Sequence, residues 1–199
     1  MDEIVRNNYV LLRGTPCGEA RWSHAARAQD FYTLPLEVRR LSGAADTLDL
    51  TLRAPALAAL SPGVPLEIEG ELRSFNSRRG DWPRLVISVF VRSLRPTHEE
   101  DENLVELRGT LCKAPKARHT PLGRDICDLL LAVNRSYGRS DYLPCICWGL
   151  AAREAALWEV GTRIALRGRV QSRRYLKQTE HGTEQRTAFE VSAAEIDRI

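Results

Sequence analysis

Several features common in proteins are missing from this chain. No apolar run approaches the ~18–20 residues that a bilayer-spanning helix needs. The first ten residues show no basic stretch leading into an apolar one, so no secretory leader is expected. A cytoplasmic protein with no membrane partner is the expectation. Catalytic signatures are missing too: there is no H-E-x-x-H, no G-x-S-x-G, no P-loop and no G-x-G-x-x-G. The four histidines, His24, His98, His119 and His181, fall in segments that read as loops. No enzyme, cofactor or metal site is expected. The five cysteines include no C-x-x-C pair. Cys145 and Cys147 lie two apart in an apolar run, which puts both on one face of a strand, a poor geometry for a disulfide. Reduced core thiols are expected. Lysine is scarce: of 29 basic residues only Lys113, Lys116 and Lys177 are lysine. Arginine, the alternative, suits phosphate forks and stacking on bases.

What the chain does have is a repeat. Residues 8–17 read N-Y-V-L-L-R-G-T-P-C, and residues 103–112 read N-L-V-E-L-R-G-T-L-C, an offset of 95. Leu34, Leu36, Val38, Arg40, Gly43, Asp46 and Leu48 align at the same offset with Leu129, Leu131, Val133, Arg135, Gly138, Asp141 and Leu143. After a three-residue slip, E-G-E-L-R-S at 69–74 aligns with R-G-R-V-Q-S at 167–172. A solenoid unit runs to about 20–50 residues, so this is a whole domain present twice. Each copy is long enough for one modest core. The expected domains are 4–95 and 103–199, joined by residues 96–102 with their E-E-D-E acidic block. A single continuous sheet, or a helix-dominated first half, would overturn that division. Net charge is +3, too little by itself to indicate a polyanion partner. Outside the acidic block the second copy carries about +5 and the first about +2.

The second copy reads as strands over 105–112, 126–134, 142–148, 162–175 and 186–191. Pro144 suggests a kink or an edge in the third. Residues 113–124 read as a loop, 176–185 as a polar hairpin tip, and 150–160 as a helix. Leu150, Ala151, Ala155, Leu157 and Trp158 would form its apolar stripe. In the fourth strand Ile164, Leu166, Gly168 and Val170 share one face and Arg163, Arg167, Arg169 and Gln171 the other. The glycine in the first strand suggests a bulge or a tight barrel bend. Order β-β-β-α-β-β is that of the OB-fold, a partly open Greek-key barrel. The first copy follows with strands over 8–17, 31–39, 46–53, 64–75 and 84–94, and a short helix or turn over 55–60. The expected fold class is all-β: two tandem OB-fold barrels, each with one short helix.

OB-folds bind oligonucleotides on the face of strands 2 and 3, framed by the loops joining strands 1–2 and 4–5. In the second copy the first loop carries Lys113, Lys116, Arg118, His119 and Arg124. The last hairpin carries Arg173, Arg174, Tyr175, Lys177 and Arg186. Tyr137, Tyr142 and Trp148 lie on or beside the expected face, and Arg135, Arg167 and Arg169 complete the basic set. Cations that follow the phosphates and rings that stack on unpaired bases are what a single strand requires. Trp158, on the helix stripe, belongs to the core on this reading. Trp148 can serve as either platform or core.

The strings L-R-G-T-L-C-K-A-P-K-A-R-H-T-P-L-G, I-C-D-L-L-L-A-V-N-R, D-Y-L-P-C-I-C-W-G-L-A-A-R, V-G-T-R-I-A-L-R-G-R-V-Q-S-R-R-Y and R-T-A-F-E-V resemble bacterial single-stranded DNA-binding proteins. The resemblance covers 103–199. It implies sequence-nonspecific binding of single-stranded DNA in replication, recombination or repair, with proteins of those processes as possible partners. It implies stacking aromatics at both ends of the third strand and on the last hairpin, which are Tyr142, Trp148 and Tyr175 here. It also implies assembly of four OB domains, hence a homodimer of this two-domain chain. Such proteins continue into a flexible acidic tail, which is not expected after 194–199. The first copy departs from the pattern. Thr47 stands in place of Tyr142, Arg53 in place of Trp148, and Glu69 and Glu71 in place of Arg167 and Arg169. Trp22, Phe75 and Trp82, with Arg78 and Arg79, could form a different surface or a docking interface. The alternatives are an accessory resembling the tailless primosomal protein PriB, or a module whose OB faces bind protein.

Overall fold

The structure is a computed structural model that describes residues 6–77, 84–179 and 182–199. Arg78, Arg79, Trp82 and His181 therefore lie outside the described residues. In the first half, β1 is Asn8–Pro16, β2 Arg21–Ala26, β3 Gln29–Arg39, β4 Ala45–Arg53, β5 Leu66–Ser77 and β6 Arg84–Pro96, with a 3₁₀ turn at Ala54–Ala59. In the second half, β7 is Glu102–Leu111, β8 Lys116–His119, β9 Asp125–Asn134, β10 Ser140–Trp148, β11 Arg163–Thr179 and β12 Gly182–Arg198. A 3₁₀ turn (Ser136–Gly138) precedes β10, and helix α1 (Gly149–Ala155) follows it.

The strands alternate as half-buried strands must. In β11, Ile164, Leu166, Gly168 and Val170 point inward, and Arg163, Arg167 and Arg169 outward. Each half closes on itself. The end of β1 pairs with β3 (Thr15↔Glu37), and the end of β7 pairs with β9 (Thr110↔Ala132). The remaining order in each half is that of a Greek-key barrel, with β4–β6 and β10–β12 as its parallel pairs. The fold is all-β with a short helix.

The strand glycines mark where backbones come closest. A Cβ on Gly14 or Gly109 would lie 2.3 Å from the Glu37 carbonyl oxygen or 2.5 Å from that of Ala132, where the barrels close. On Gly70 or Gly168 it would lie 2.5 Å from the Phe90 oxygen or 2.1 Å from that of Ser192. Both of those positions are at register shifts, between Glu69 and Gly70 and between Arg167 and Gly168. These are repeat-equivalent pairs, so one constraint of barrel curvature explains four glycines.

Four sequence expectations are corrected. Residues 113–124 contain strand β8, which pairs with β9 from Lys116↔Asp128 to His119↔Asp125. The first half has a matching extra strand, β2. Its turn into β3 uses Arg27 and Ala28, both at positive φ (50° and 59°). Two such residues suit a right-twisted hairpin, but neither is a usual turn residue. His24 and His119 thus sit on strands. Helix α1 ends at Ala155, and its inward residues are Ala152 and Ala155, followed by Trp158, while Leu150 and Leu157 are 82% and 83% exposed. The last hairpin stays paired as far as Thr179↔Gly182, so its tip is shorter than 176–185.

The hydrogen-bonded ladder does not stop between the halves. β1 and β7 pair antiparallel from Asn8↔Leu107 to Arg13↔Glu102, giving one 12-stranded order, β2-β3-β4-β6-β5-β1-β7-β11-β12-β10-β9-β8. The sheet is thus continuous across the expected division, the outcome set against it, although each half closes its own barrel through β1–β3 and β7–β9. The pairing is centred on Val10↔Val105, which are the same residue of the repeat. The seam is thus a local two-fold within one chain. Asn8 bridges the amide and carbonyl of Leu72, and Asn103 bridges those of Val170. Asp46 accepts from the Ser172 N–H and hydroxyl (both 2.9 Å). Its equivalent, Asp141, accepts from the Ser74 N–H at 2.7 Å. Each copy's aspartate thereby reaches the other copy's long hairpin. The acidic segment is also tied down: Glu99 pairs with Arg13 at 2.7 Å, and Asp101 accepts from the Arg39 amide at 2.7 Å.

Candidate nucleic-acid interface

The even-numbered residues of β10 face out of the second barrel. Tyr142 and Trp148 lie at the two ends of that row and are 50% and 39% exposed. Six residue steps along the strand separate them by about 20 Å, room for several unstacked nucleotides between the rings. Between them on the same face Ile146 is buried, and Ile126 lies opposite Trp148 on β9. Both isoleucines are buried yet stand apart from the barrel core. Trp148 therefore turns outward. Its indole N–H donates to the Ser192 hydroxyl at 3.1 Å, which satisfies the polar edge and fixes the ring. The Tyr142 amide donates to Ser74 Oγ of the first copy at 2.7 Å, anchoring the other end. Trp158 is buried, as the helix stripe implied.

The basic candidates divide. Arg167 and Arg169 are exposed on β11 and line a cleft of about 820 Å³ with Trp148, Ser192 and Gln171. Arg167 approaches Glu106 only at 3.8 Å. Arg40 and Arg124 also line this cleft. Arg40 comes from the first copy, and its alignment with Arg135 was the only sequence signal for it. Lys116 is exposed on β8. Arg118 is held by Asp128 in a two-pronged pair (2.6 and 2.9 Å). Arg135 is mostly buried, with Nε 3.1 Å from the fully buried Asp141. Arg118 and Arg135 are therefore already committed to carboxylates. Arg173 is exposed on the long hairpin, 3.8 Å from Glu190. Arg174, Tyr175 and Lys177 lie on the same strand, opposite Thr187, Arg186 and Glu184, with side chains outside the described residues, as is the side chain of Tyr137 in the 3₁₀ turn. Trp148, Arg167 and Arg169 are thus brought together, while Tyr142 stands at the far end of the same face.

A second cleft, about 670 Å³, occupies the pseudo-symmetric position. Asn8, Tyr9, Glu69, Gly70 and Glu71 stand there where Asn103, Leu104, Arg167, Gly168 and Arg169 stand in the first. Glu71 ion-pairs with Arg73 and Arg92. Arginines line both clefts, but in this one Glu69 and Glu71 stand among Arg6, Arg73, Arg92 and Arg135, whereas in the other Glu195 alone stands among Arg40, Arg124, Arg167 and Arg169. Beneath the seam, burial would raise the Asp46 carboxyl. Arg40, at 2.6 Å to each oxygen, and the Ser172 donors hold it below the ordinary range instead. Of the cysteines, Cys127, Cys145 and Cys147 are buried free thiols. Burial pushes Cys147 up to about 12, so it stays protonated and inert.

A closed Greek-key barrel with rings and arginines on its outer face defines an OB-type binding protein. Residues 102–199 match the model of the single-strand binding protein family. Single-stranded DNA-binding protein B of Bacillus subtilis is 36% identical over 80 residues, covering 37% of this chain and 71% of that protein. Single-stranded DNA-binding protein 2 of Listeria innocua is 35% identical over 80 residues, covering half of its own length. The chain belongs to the single-strand binding protein family. Its fold also resembles that of the wild-type single-stranded DNA binding protein from Thermus aquaticus, at a TM-score of 0.78 and 21% identity. That likeness covers 96% of this chain and 92% of the other, so it extends over both halves.

Proposed function

We propose that this chain binds single-stranded DNA without sequence preference, in replication, recombination or repair, and has no catalytic role. The observation that carries this reading is Trp148. Its edge is satisfied by Ser192 and its ring is open beside Arg167 and Arg169. Bases stack on Trp148 and Tyr142, and on Tyr175 of the long hairpin. Arg167, Arg169, Lys116, Arg173, Arg174 and Lys177 follow the phosphates. The functional units are domains 4–95 and 103–199 with the acidic segment 96–102 between them, the second domain being the main platform. Two chains pair in the cytoplasm to assemble four barrels, which would give about twice the 22.4 kDa chain mass in solution. Titration with a homopyrimidine oligonucleotide over a salt series tests the binding. Tight association that weakens steeply with salt is expected. No binding at low salt would remove the reading, and a 22.4 kDa species at micromolar concentration would remove the pairing.

A further inference from the structure

The first copy has no ring at the positions of Tyr142 and Trp148, yet its outer face is not bare. In β4–β6, Leu50 pairs with Val89 and Thr51 with Phe90. In β10–β12, Cys145 pairs with Val191 and Ile146 with Ser192. Phe90 therefore stands where Ser192 stands, as Arg53 stands where Trp148 stands. The ring has moved one strand across. In the second copy a tryptophan on β10 donates to a serine on β12. In the first, an arginine on β4 lies over a phenylalanine on β6, with the Arg53 guanidinium 5.3 Å from the ring centroid.

The surroundings extend this platform. Phe31 lies 6.2 Å from Phe90, and His24 stacks on Phe31 at 4.9 Å with the planes 11° apart. Arg73 and Arg92 approach the Phe90 ring at 5.7 and 5.0 Å. Three guanidinium groups around one ring repel one another. Arg73 is held by Glu71 and the buried Asp141, and Arg92 by Glu71, whereas Arg53 has no carboxylate partner among the described residues. The exposed Arg53 guanidinium is therefore the group open to an anion, and the planes around it, aromatic and guanidinium alike, are what unpaired bases stack on.

We infer that the His24–Phe31–Phe90 row, with Arg53, is a second single-strand site on the first copy, taking nucleobases on its planes and a phosphate on Arg53. This rests on the proposed binding of single-stranded DNA and adds a separate place of contact to it. The strand leaves the Trp148 cleft and continues on a surface built from different residues.

The test compares wild type, Phe90→Leu, Arg53→Ala and Trp148→Ala as full chains. The probes are oligo-dT of about 10 nucleotides, within the ~4–16 that one barrel covers, and of about 30, which engages two barrels. Phe90→Leu and Arg53→Ala should each weaken binding of the long probe by about 5- to 150-fold, the range of one lost stack. They should leave the short probe unchanged. Trp148→Ala should weaken both. Arg53 is exposed, so Arg53→Ala carries the test if Phe90→Leu lowers the melting temperature. Long-probe affinity equal to wild type in both variants would overturn the inference while the second-copy site stands. A changed oligomer mass with unchanged DNA affinity would overturn it in favour of a docking face. Failure of wild type to bind either probe at low salt would remove both readings.

Discussion

Replacing Asp46 by asparagine probes the lock between the two copies. Asp46 is fully buried and accepts from Arg40 Nε and Nη2 at 2.6 Å each and from two donors of Ser172. Asparagine keeps one acceptor oxygen for Ser172 but sets an amide N–H against the guanidinium. Removing one partner of a buried pair costs about 3–5 kcal/mol. The Arg40 side chain keeps 25% exposure, so water compensates in part and about 3 kcal/mol is expected. At roughly 2–4 °C per kcal/mol for a chain of this length, Tm should fall by about 6–12 °C. The pH dependence follows from the carboxyl being held below its ordinary value in the fold. Its contribution is fully present above the unfolded aspartate value of about 3.9 and is lost as pH falls through the lower folded value. Thermal unfolding of both proteins from pH 7 down to pH 3 should show a constant gap down to about pH 5, closing below about pH 4. A gap under about 1 kcal/mol at pH 7, or one that does not change below pH 4, would refute the argument.

Three further outcomes are expected. Tyr142→Ala and Trp148→Ala should each weaken oligo-dT binding by about 1–3 kcal/mol, with quenching of tryptophan fluorescence on titration reduced in the latter. Arg167→Ala and Arg169→Ala should each flatten the logarithmic salt slope by about 0.7, the single-strand value per phosphate contact; unchanged slopes would remove these side chains from the phosphate path. Gly168→Ala places a Cβ 2.1 Å from the Ser192 oxygen and should cost about 2–3 kcal/mol in denaturant melts. Gly123→Ala, at φ 75° with nothing within 4 Å, should cost only about 1 kcal/mol.

The parts of the fold set by periodicity were legible in the sequence. The inward row of β11 and its outward arginines follow from simple alternation, and R-G-T and R-G-R marked the strand glycines that the barrels require. The extra edge strands were not legible. β8 lies in a segment rich in proline and glycine, and β2 turns through Arg27 and Ala28, whose left-handed backbone no usual turn residue announces. The helix stripe differs because α1 turns Ala152 and Ala155 inward, which puts Leu150 on the outer face, and it ends before Leu157. Of the candidate site, the place of Tyr142 and Trp148 at the two ends of one strand was legible, whereas the pairing of Arg118 with Asp128 and of Arg135 with Asp141 depends on neighbours brought from other strands. Phe90 escaped because a comparison of equivalent positions finds a serine opposite it, and only the parallel register shows the ring beside Arg53.

Pairing β1 with β7 inside one polypeptide changes what dilution can do. Two separate barrels meeting at such a seam would come apart as their concentration fell. Here the partner is tethered, and its effective concentration does not depend on how much protein is present. A seam between identical subunits also forces every substitution to occur twice, once on each side of the axis. Within one chain the two sides are free to differ, and they do: Glu69 and Glu71 face one cleft and Arg167 and Arg169 the other. Covalent linkage therefore gives this protein a front and a back.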